Sequence, residues 1–89
     1  MDIPRPETGP ETHEHRLKRM RMRSWRRGTK EMDLILGPYA DTRLGGMDAA
    51  ALDLFDALLD ENDQDLYRWV SGQAVPPERF AALIAELAR

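Results

Sequence analysis

Glycines and prolines divide this chain into short stretches, and within each stretch apolar residues recur three and four positions apart, as on one face of an α-helix. The breakers between the stretches are, in chain order, Gly28, Gly45-Gly46, Gly72 and Pro76-Pro77. No stretch alternates with a period of two for long, and β-branched residues are few, so strands are not expected. The pattern therefore predicts an all-α fold, a compact five-helix bundle with short connections.

Side chains that accept a hydrogen bond from the first helical turn indicate where the helices begin. The N-cap candidates are Thr12, Thr29, Asp48 and either Asn62 or Asp63. Gly28 suits the end of the first helix, because glycine adopts a left-handed conformation at little cost. Pro38 lacks an amide hydrogen and is predicted to kink or end the second helix nearby, whereas Pro77 suits the first position of the fifth.

Each predicted helix has an apolar stripe that would face the core. The stripe residues are Leu17, Met20 and Ser24; Met32, Ile35, Leu36 and Tyr39; Ala51, Leu54, Phe55, Leu58 and Leu59; Leu66, Trp69 and Val70; and Phe80, Leu83, Ile84 and Leu87. We assign Phe55 and Trp69 to this core rather than to a functional site. Asp53, Asp56 and Asp60 fall opposite the stripe of the third helix and are expected to form a solvated face.

A chain of 89 residues is long enough for one small domain. Residues 1–11, with three prolines and a glycine, are predicted to be a disordered leader, and residues 12–89 a single helical bundle domain. Cysteine is absent, which excludes disulfides and thiolate nucleophiles. The acidic N-terminus is unlike a secretory signal or a transit peptide, and no apolar run is long enough to span a bilayer. We therefore expect a cytoplasmic protein without stable membrane insertion. The sequence does not fix the oligomeric state, and our expectation is a monomer.

The net charge of −3 conceals a strong separation of charge along the chain. Residues 16–30 carry eight basic residues and no acid, whereas residues 41–65 carry eight acids and a single base. One interpretation is that the two segments lie near each other in the fold and neutralise one another. The other is that the basic segment forms a surface for an anionic partner. The sequence does not decide between them.

The run WRRGTKE, residues 25–31, joins the first two predicted helices. Arg27 falls in the last turn of one helix and Glu31 in the first turn of the next, where the helix dipole favours its charge. Gly28 leaves the backbone bare, so that another molecule can approach closely. The run is either a well-capped corner with an ion pair or a contact site.

This corner resembles the RGxxE signature of the succinate dehydrogenase assembly factor family, the small flavinylation factors, in the run from Arg26 to Glu31 followed by Asp33-Leu34. The resemblance covers residues 14–87 and continues in Pro38-Tyr39, Leu58-Leu59, Asp63, Asp65-Leu66, Trp69, and Gly72 followed by Pro76. One departure is the first helix, which is more basic than is expected for the family.

The resemblance implies a helical bundle that is not itself an enzyme. Family members bind the flavoprotein subunit of succinate dehydrogenase, and in some bacteria that of fumarate reductase, and promote covalent attachment of FAD to a histidine of that subunit. By position, it implies partner binding by Arg26, Arg27, Gly28, Glu31 and Asp33. The sequence does not decide whether the chain or only its partner holds FAD; our expectation is that the chain holds no FAD tightly by itself and meets FAD through the client flavoprotein.

The residues leave two other classes of function open. The alternative is a small basic nucleic-acid-binding or antitoxin-like regulator, because clustered positive charges with an interleaved tryptophan suit phosphates. An acid–base enzyme ranks last, since it needs a perturbed carboxylate in a cleft. His13 and His15 flank Glu14, but this spacing is not the HExxH zinc arrangement, and no metal site is predicted.

Overall fold

The computed structural model describes residues 11–88, and these form five α-helices and no strand. The helices are α1 (His13–Trp25), α2 (Lys30–Arg43), α3 (Ala49–Leu59), α4 (Asp63–Val70) and α5 (Ala81–Leu87), and two short 3-10 turns span Leu44–Gly46 and Glu78–Phe80. The predicted all-α bundle is confirmed. The predicted leader lies outside the described residues except at Glu11, whose carboxylate pairs with Arg19 at 2.8 Å.

Four of the five helices begin at a capping side chain that the sequence predicted. In each, the side-chain oxygen accepts a hydrogen bond from the backbone N–H three residues on, and the caps are Thr12, Thr29, Asp48 and Asn62. Asn62 rather than Asp63 therefore caps α4. Because Asp63 is the first residue of that helix and does not cap it, its carboxylate is available for another contact.

The second helix does not end near Pro38, so that alternative of the prediction is wrong. Helix α2 continues for five residues beyond Pro38, to Arg43. A proline removes one hydrogen bond, here the bond to the carbonyl of Leu34. Leu34 is 57% exposed, so water has access to that side of the helix, and the surrounding turns of α2 are held by their packing on α1.

The core forms where the inner faces of all five helices meet. Phe55 is fully buried and Trp69 packs against the buried cluster, which confirms their assignment to the core. Three leucines differ from the predicted stripes: Leu52 is buried, Leu54 is only partly buried, and Leu44 in the first 3-10 turn is fully buried. In α3 the buried residues Leu52, Phe55 and Leu59 recur three and four positions apart and share the face toward the core, and the turn after α2 places Leu44 in the core.

The basic helix α1 packs beside the acidic helix α3, and their charges pair along the contact. The shortest pairs are Arg16–Asp53 at 2.7 Å, Arg19–Asp56 at 2.8 Å and Arg23–Asp60 at 3.0 Å. Neutralisation within the fold is therefore the correct interpretation of the charge separation. The expectation of a solvated acidic face is wrong for Asp56, whose side chain is 22% exposed and contacts arginines of α1.

Hydrogen bonds from Arg19 hold the pKa of the Asp56 carboxyl below its usual range, against the opposing effect of its partial burial. Arg19 reaches both carboxylate oxygens, at 3.0 and 2.8 Å. A guanidinium that is committed in this way has little capacity for a phosphate group. The pairing thus removes much of the physical support for the nucleic-acid alternative.

Candidate functional site

The corner between α1 and α2 is an exposed bend whose shape depends on Gly28. This residue has a φ of 99°, a conformation that side chains with a Cβ rarely adopt. No atom apart from its chain neighbours lies within 4 Å of the place where a Cβ would stand. An approaching molecule therefore meets bare main chain at this residue.

The side chain of Arg27 is turned inward, toward the loop between α3 and α4. Nε donates to the Asp63 carboxylate, Nη1 to the carbonyl of Leu59 and Nη2 to the carbonyl of Glu61, each at 2.8 Å. The side chain of Arg27 is only 9% exposed. Such a buried cation is tolerated because it is paired and hydrogen-bonded at all three nitrogens. Its guanidinium ties the corner to the loop and is not presented to solvent.

Asp33 holds the same corner through the main chain. Its Oδ1 accepts a hydrogen bond of 2.7 Å from the backbone N–H of Arg27, and its own N–H donates to the carbonyl of Thr29. The first turn of α2 is thereby hydrogen-bonded to the backbone of Arg27, the residue that precedes Gly28. Arg27 and Asp33 together determine the path of the backbone through the bend.

Arg26 and Glu31, in contrast, are exposed side chains of the corner. Within residues 11–88 neither forms a side-chain hydrogen bond or ion pair. An ion pair between Arg27 and Glu31, one of the two interpretations of the sequence, does not form, because Arg27 turns toward Asp63. Glu31 is therefore the carboxylate of the corner that remains free to bind a partner.

A groove with a volume of about 490 Å³ runs beside the corner, between the start of α2 and helix α4. Its main walls are formed by Thr29, Glu31 and Met32 on one side and by Asp63, Tyr67 and Arg68 on the other. The aromatic side chain of Tyr67 is 42% exposed. Sequence analysis missed this second wall, because no local pattern shows that α4 lies against the start of α2.

The groove does not have the features of a flavin site. Its charged lining consists of Glu31, Asp63 and Arg68. Asp63 is paired with Arg27, and Glu31 offsets Arg68, so the lining lacks the excess of positive charge that would attract the pyrophosphate of FAD. The described chain has no glycine-rich turn between a strand and a helix, the element that cradles a dinucleotide phosphate. The expectation that the chain holds no FAD tightly by itself stays a prediction.

Two further features bear on the sequence predictions. His13 and His15 lie exposed at the start of α1, and residues 11–88 contain no cluster of three or more metal-ligating side chains. None of the described helices is both long enough and apolar enough to cross a bilayer.

Comparison with known proteins identifies relatives of the chain. The family model described as flavinator of succinate dehydrogenase matches residues 18–89. The chain is similar to the mitochondrial succinate dehydrogenase assembly factor 2 of Mycosarcoma maydis, with 37% identity over 76 residues, which is 85% of this chain and 32% of that protein. It is similar to the protein of the same name from Schizosaccharomyces pombe, with 34% identity over 79 residues, 89% of this chain and 57% of that protein.

This chain matches a larger share of one bacterial relative. The FAD assembly factor SdhE of Francisella tularensis is 36% identical over 64 residues, 72% of this chain and 67% of that protein. The two fungal relatives are longer, and this chain spans between about a third and somewhat more than half of their length.

The expected cytoplasmic location is wrong by these comparisons, since the fungal relatives are named as mitochondrial proteins. The prediction rested on the composition of the first residues. Composition there argues against one kind of targeting segment, but it does not specify the compartment in which a helical domain works.

Proposed function

This chain belongs to the family described as flavinator of succinate dehydrogenase, and on that premise we propose that it is an assembly factor. It binds the flavoprotein subunit of succinate dehydrogenase and promotes the covalent attachment of FAD to that subunit. It acts by binding, contributes no catalytic group of its own, and meets FAD only on the client. The expectation that it works as a monomer remains a prediction.

The observation that carries this proposal is the exposed corner at Gly28 and Glu31. Bare main chain, a carboxylate without a partner in the described chain, and an adjoining groove all lie on one side of the molecule. These features suit close contact with another protein, in which Gly28 allows a near approach and Glu31 pairs with a cation of the client. Arg26, exposed beside them, extends the contact.

The proposed mechanism asks little of the chain chemically. Covalent flavinylation is carried out by the flavin and the client's own side chain, and a helper need only stabilise the arrangement in which they react. Arg27 and Asp33 belong to the site because they hold the corner in shape, and Glu31 and Gly28 because they contact the client. We assign these two kinds of role from burial: the Arg27 side chain is only 9% exposed, so its guanidinium is not accessible for hydrogen bonds to the client.

Replacement of Glu31 tests the proposal. At chain concentrations well below half-saturation, Glu31→Gln should slow covalent flavinylation of the client about ten-fold, the loss expected from about 1.4 kcal/mol of binding free energy. Its free energy of unfolding should change by less than about 0.5 kcal/mol, because the side chain is exposed. The measurement is the fluorescence of covalently bound flavin in the flavoprotein subunit after a denaturing gel, in a reaction with purified chain and FAD.

Glu14→Gln is the matched control. Glu14 is also an exposed acid in the first turn of a helix, and its loss changes net charge and helix dipole in the same way. It should leave flavinylation at the wild-type rate. Equal rates for the two variants would remove Glu31 from the contact, and a wild-type chain that does not increase covalent flavin would refute the proposed function itself.

A further inference from the structure

We infer that Asp63, at the start of α4, is a positioning residue for client binding, and that it acts through Arg27. This inference rests on the proposed function and extends the site from the RGxxE corner to the loop between α3 and α4. Asp63 fixes the guanidinium that determines where Gly28 and Glu31 stand. The geometry supports this in three steps.

The first step is that Asp63 supplies the charge of the clamp on Arg27. The other two acceptors are the backbone carbonyls of Leu59 and Glu61, which are neutral. Asp63 is 18% exposed on its side chain, so the pair is largely shielded from solvent. Without this counter-ion the Arg27 guanidinium would turn out of its buried position into solvent, because burying an unpaired charge is unfavourable.

The second step is that Asp63 has no other structural duty that accounts for this contact. Asn62 caps α4, and Asp65 also provides a carboxylate in the first turn, so the helix start does not depend on Asp63 alone. Its Oδ1 lies 2.8 Å from Nε of Arg27, a residue 36 positions away in the chain. The contact therefore serves the junction between the two segments.

The third step is that this junction determines the geometry of the proposed contact surface. Arg27 directly precedes Gly28, and its backbone N–H is held by Asp33 on α2. Glu31 lies on one wall of the groove, and Asp63 and Tyr67 lie on the other. Release of Arg27 from Asp63 would let the bend and the wall of α4 move independently, so a client that contacts both would lose a preorganised surface.

Asp63→Ala and the matched control Asp65→Ala test the inference. Both variants remove one carboxylate from the first turn of α4, but only the first removes a partner of Arg27. Asp63→Asn is a milder second variant that keeps an oxygen acceptor in case the alanine variant folds poorly. The variants are titrated into apo flavoprotein subunit of succinate dehydrogenase with FAD, well below their melting temperatures, and the rate of covalent flavin formation is measured.

For Asp63→Ala the concentration that gives half-maximal rate should rise at least ten-fold, while the maximal rate at saturation stays within two-fold of wild type. Asp65→Ala should keep both values. Adding Asp63→Ala to Arg27→Met should cause little further loss, because Asp63 acts through Arg27. An unchanged half-saturating concentration, a lowered maximal rate, or losses that add fully in the double variant would each overturn the inference.

Nuclear magnetic resonance of the free chain separates failure of the inference from failure of the proposed function. In Asp63→Ala the Arg27 Nε–H should exchange rapidly with water, and the amides of Gly28 and Glu31 should shift, whereas Asp65→Ala should leave them in place. Unshifted amides would refute the positioning role even if flavinylation is promoted. A wild-type chain that neither binds the subunit nor promotes flavinylation refutes the function, whatever the amides show.

Discussion

Gly28 lies between residues with opposite surroundings. Before it, the Arg27 side chain is buried and hydrogen-bonded at each of its three nitrogens, and after it, Glu31 is exposed and has no partner in the described chain. Substitutions on the two sides should therefore act differently. Loss of Arg27 removes a buried charged clamp and lowers both stability and binding, whereas loss of Glu31 affects binding alone.

The positive φ of Gly28 gives a prediction at the scale of one residue. Gly28→Ala should lower the free energy of unfolding by about 1–2 kcal/mol, because a Cβ at a φ of 99° strains the backbone although the space around it is open. Gly45→Ala is the control, since Gly45 is equally open but its φ is not positive. Urea denaturation measures both, and equal losses would show that φ is not the cause.

Helix α2 approaches α1 closely because Gly37 has no side chain. The indole ring of Trp25 lies against the backbone of Gly37, and a Cβ at this position would overlap the ring. Nε1 of Trp25 also donates to Asp41 at 3.2 Å, which orients the ring along α2. The approach of the two helices fixes the angle at which the chain enters the corner.

Gly37→Ala should destabilise the protein by about 1–3 kcal/mol, because an inserted methyl group overpacks the contact between the helices. This loss opposes the helix propensity of alanine, which by itself would favour the variant by about 1 kcal/mol. A second substitution, Trp25→Leu, should recover part of the loss, since it makes room for the methyl group. Thermal unfolding of Gly37→Ala, Trp25→Leu and the double variant measures the effect. If Gly37→Ala were more stable than wild type, the close contact between Gly37 and the Trp25 ring would be contradicted.

At the scale of the whole molecule, charge separated along the sequence becomes charge paired in space. The arginines of α1 face the aspartates of α3, and Asp56 lies at the centre of this contact with ion pairs to Arg16, Arg19 and Arg23. The pairing helps to hold α1 on the bundle. The corner at its end thus depends on charges that are remote from it.

Stability should fall in acid because of Asp56. Its pKa is lowered in the folded state by Arg19, so the stabilisation is complete above the unfolded pKa, near 3.8, and is lost as pH falls through the lower folded pKa. The free energy of unfolding of wild type should therefore decline between about pH 5 and pH 2 more steeply than that of Asp56→Asn. Arg19→Gln should also reduce the slope, because it removes the largest cause of the shift.

Urea denaturation at a series of pH values measures these slopes. At neutral pH, Asp56→Asn should cost about 1 kcal/mol, the usual value for a partly exposed charged contact. If the free energy of unfolding of Asp56→Asn fell with acid as steeply as that of wild type, Asp56 would not be the group that couples stability to pH.

Much of the fold and part of the site could be predicted from local patterns. The start of four helices, the glycine at the bend and most core positions depend on interactions within one or two turns of the same helix. The run from Arg27 to Glu31 resembles the RGxxE signature, and this resemblance indicated the family whose model matches the chain. Two prolines were exceptions among local signals. Packing of α2 outweighed the hydrogen bond lost at Pro38, and a 3-10 turn, Glu78–Phe80, separates Pro77 from α5, so the prediction that Pro77 opens the fifth helix was wrong.

The sequence by itself thus determined the helices, their caps and the family. Only the tertiary structure decided that Arg27 is bound to Asp63 while Glu31 remains exposed, and that α4 lines a groove beside the bend. The physical reason is separation along the chain: a cap and its amide are three residues apart, whereas Arg27 and Asp63 are 36 apart. A contact of that range depends on how all the helices pack, and no short pattern records it.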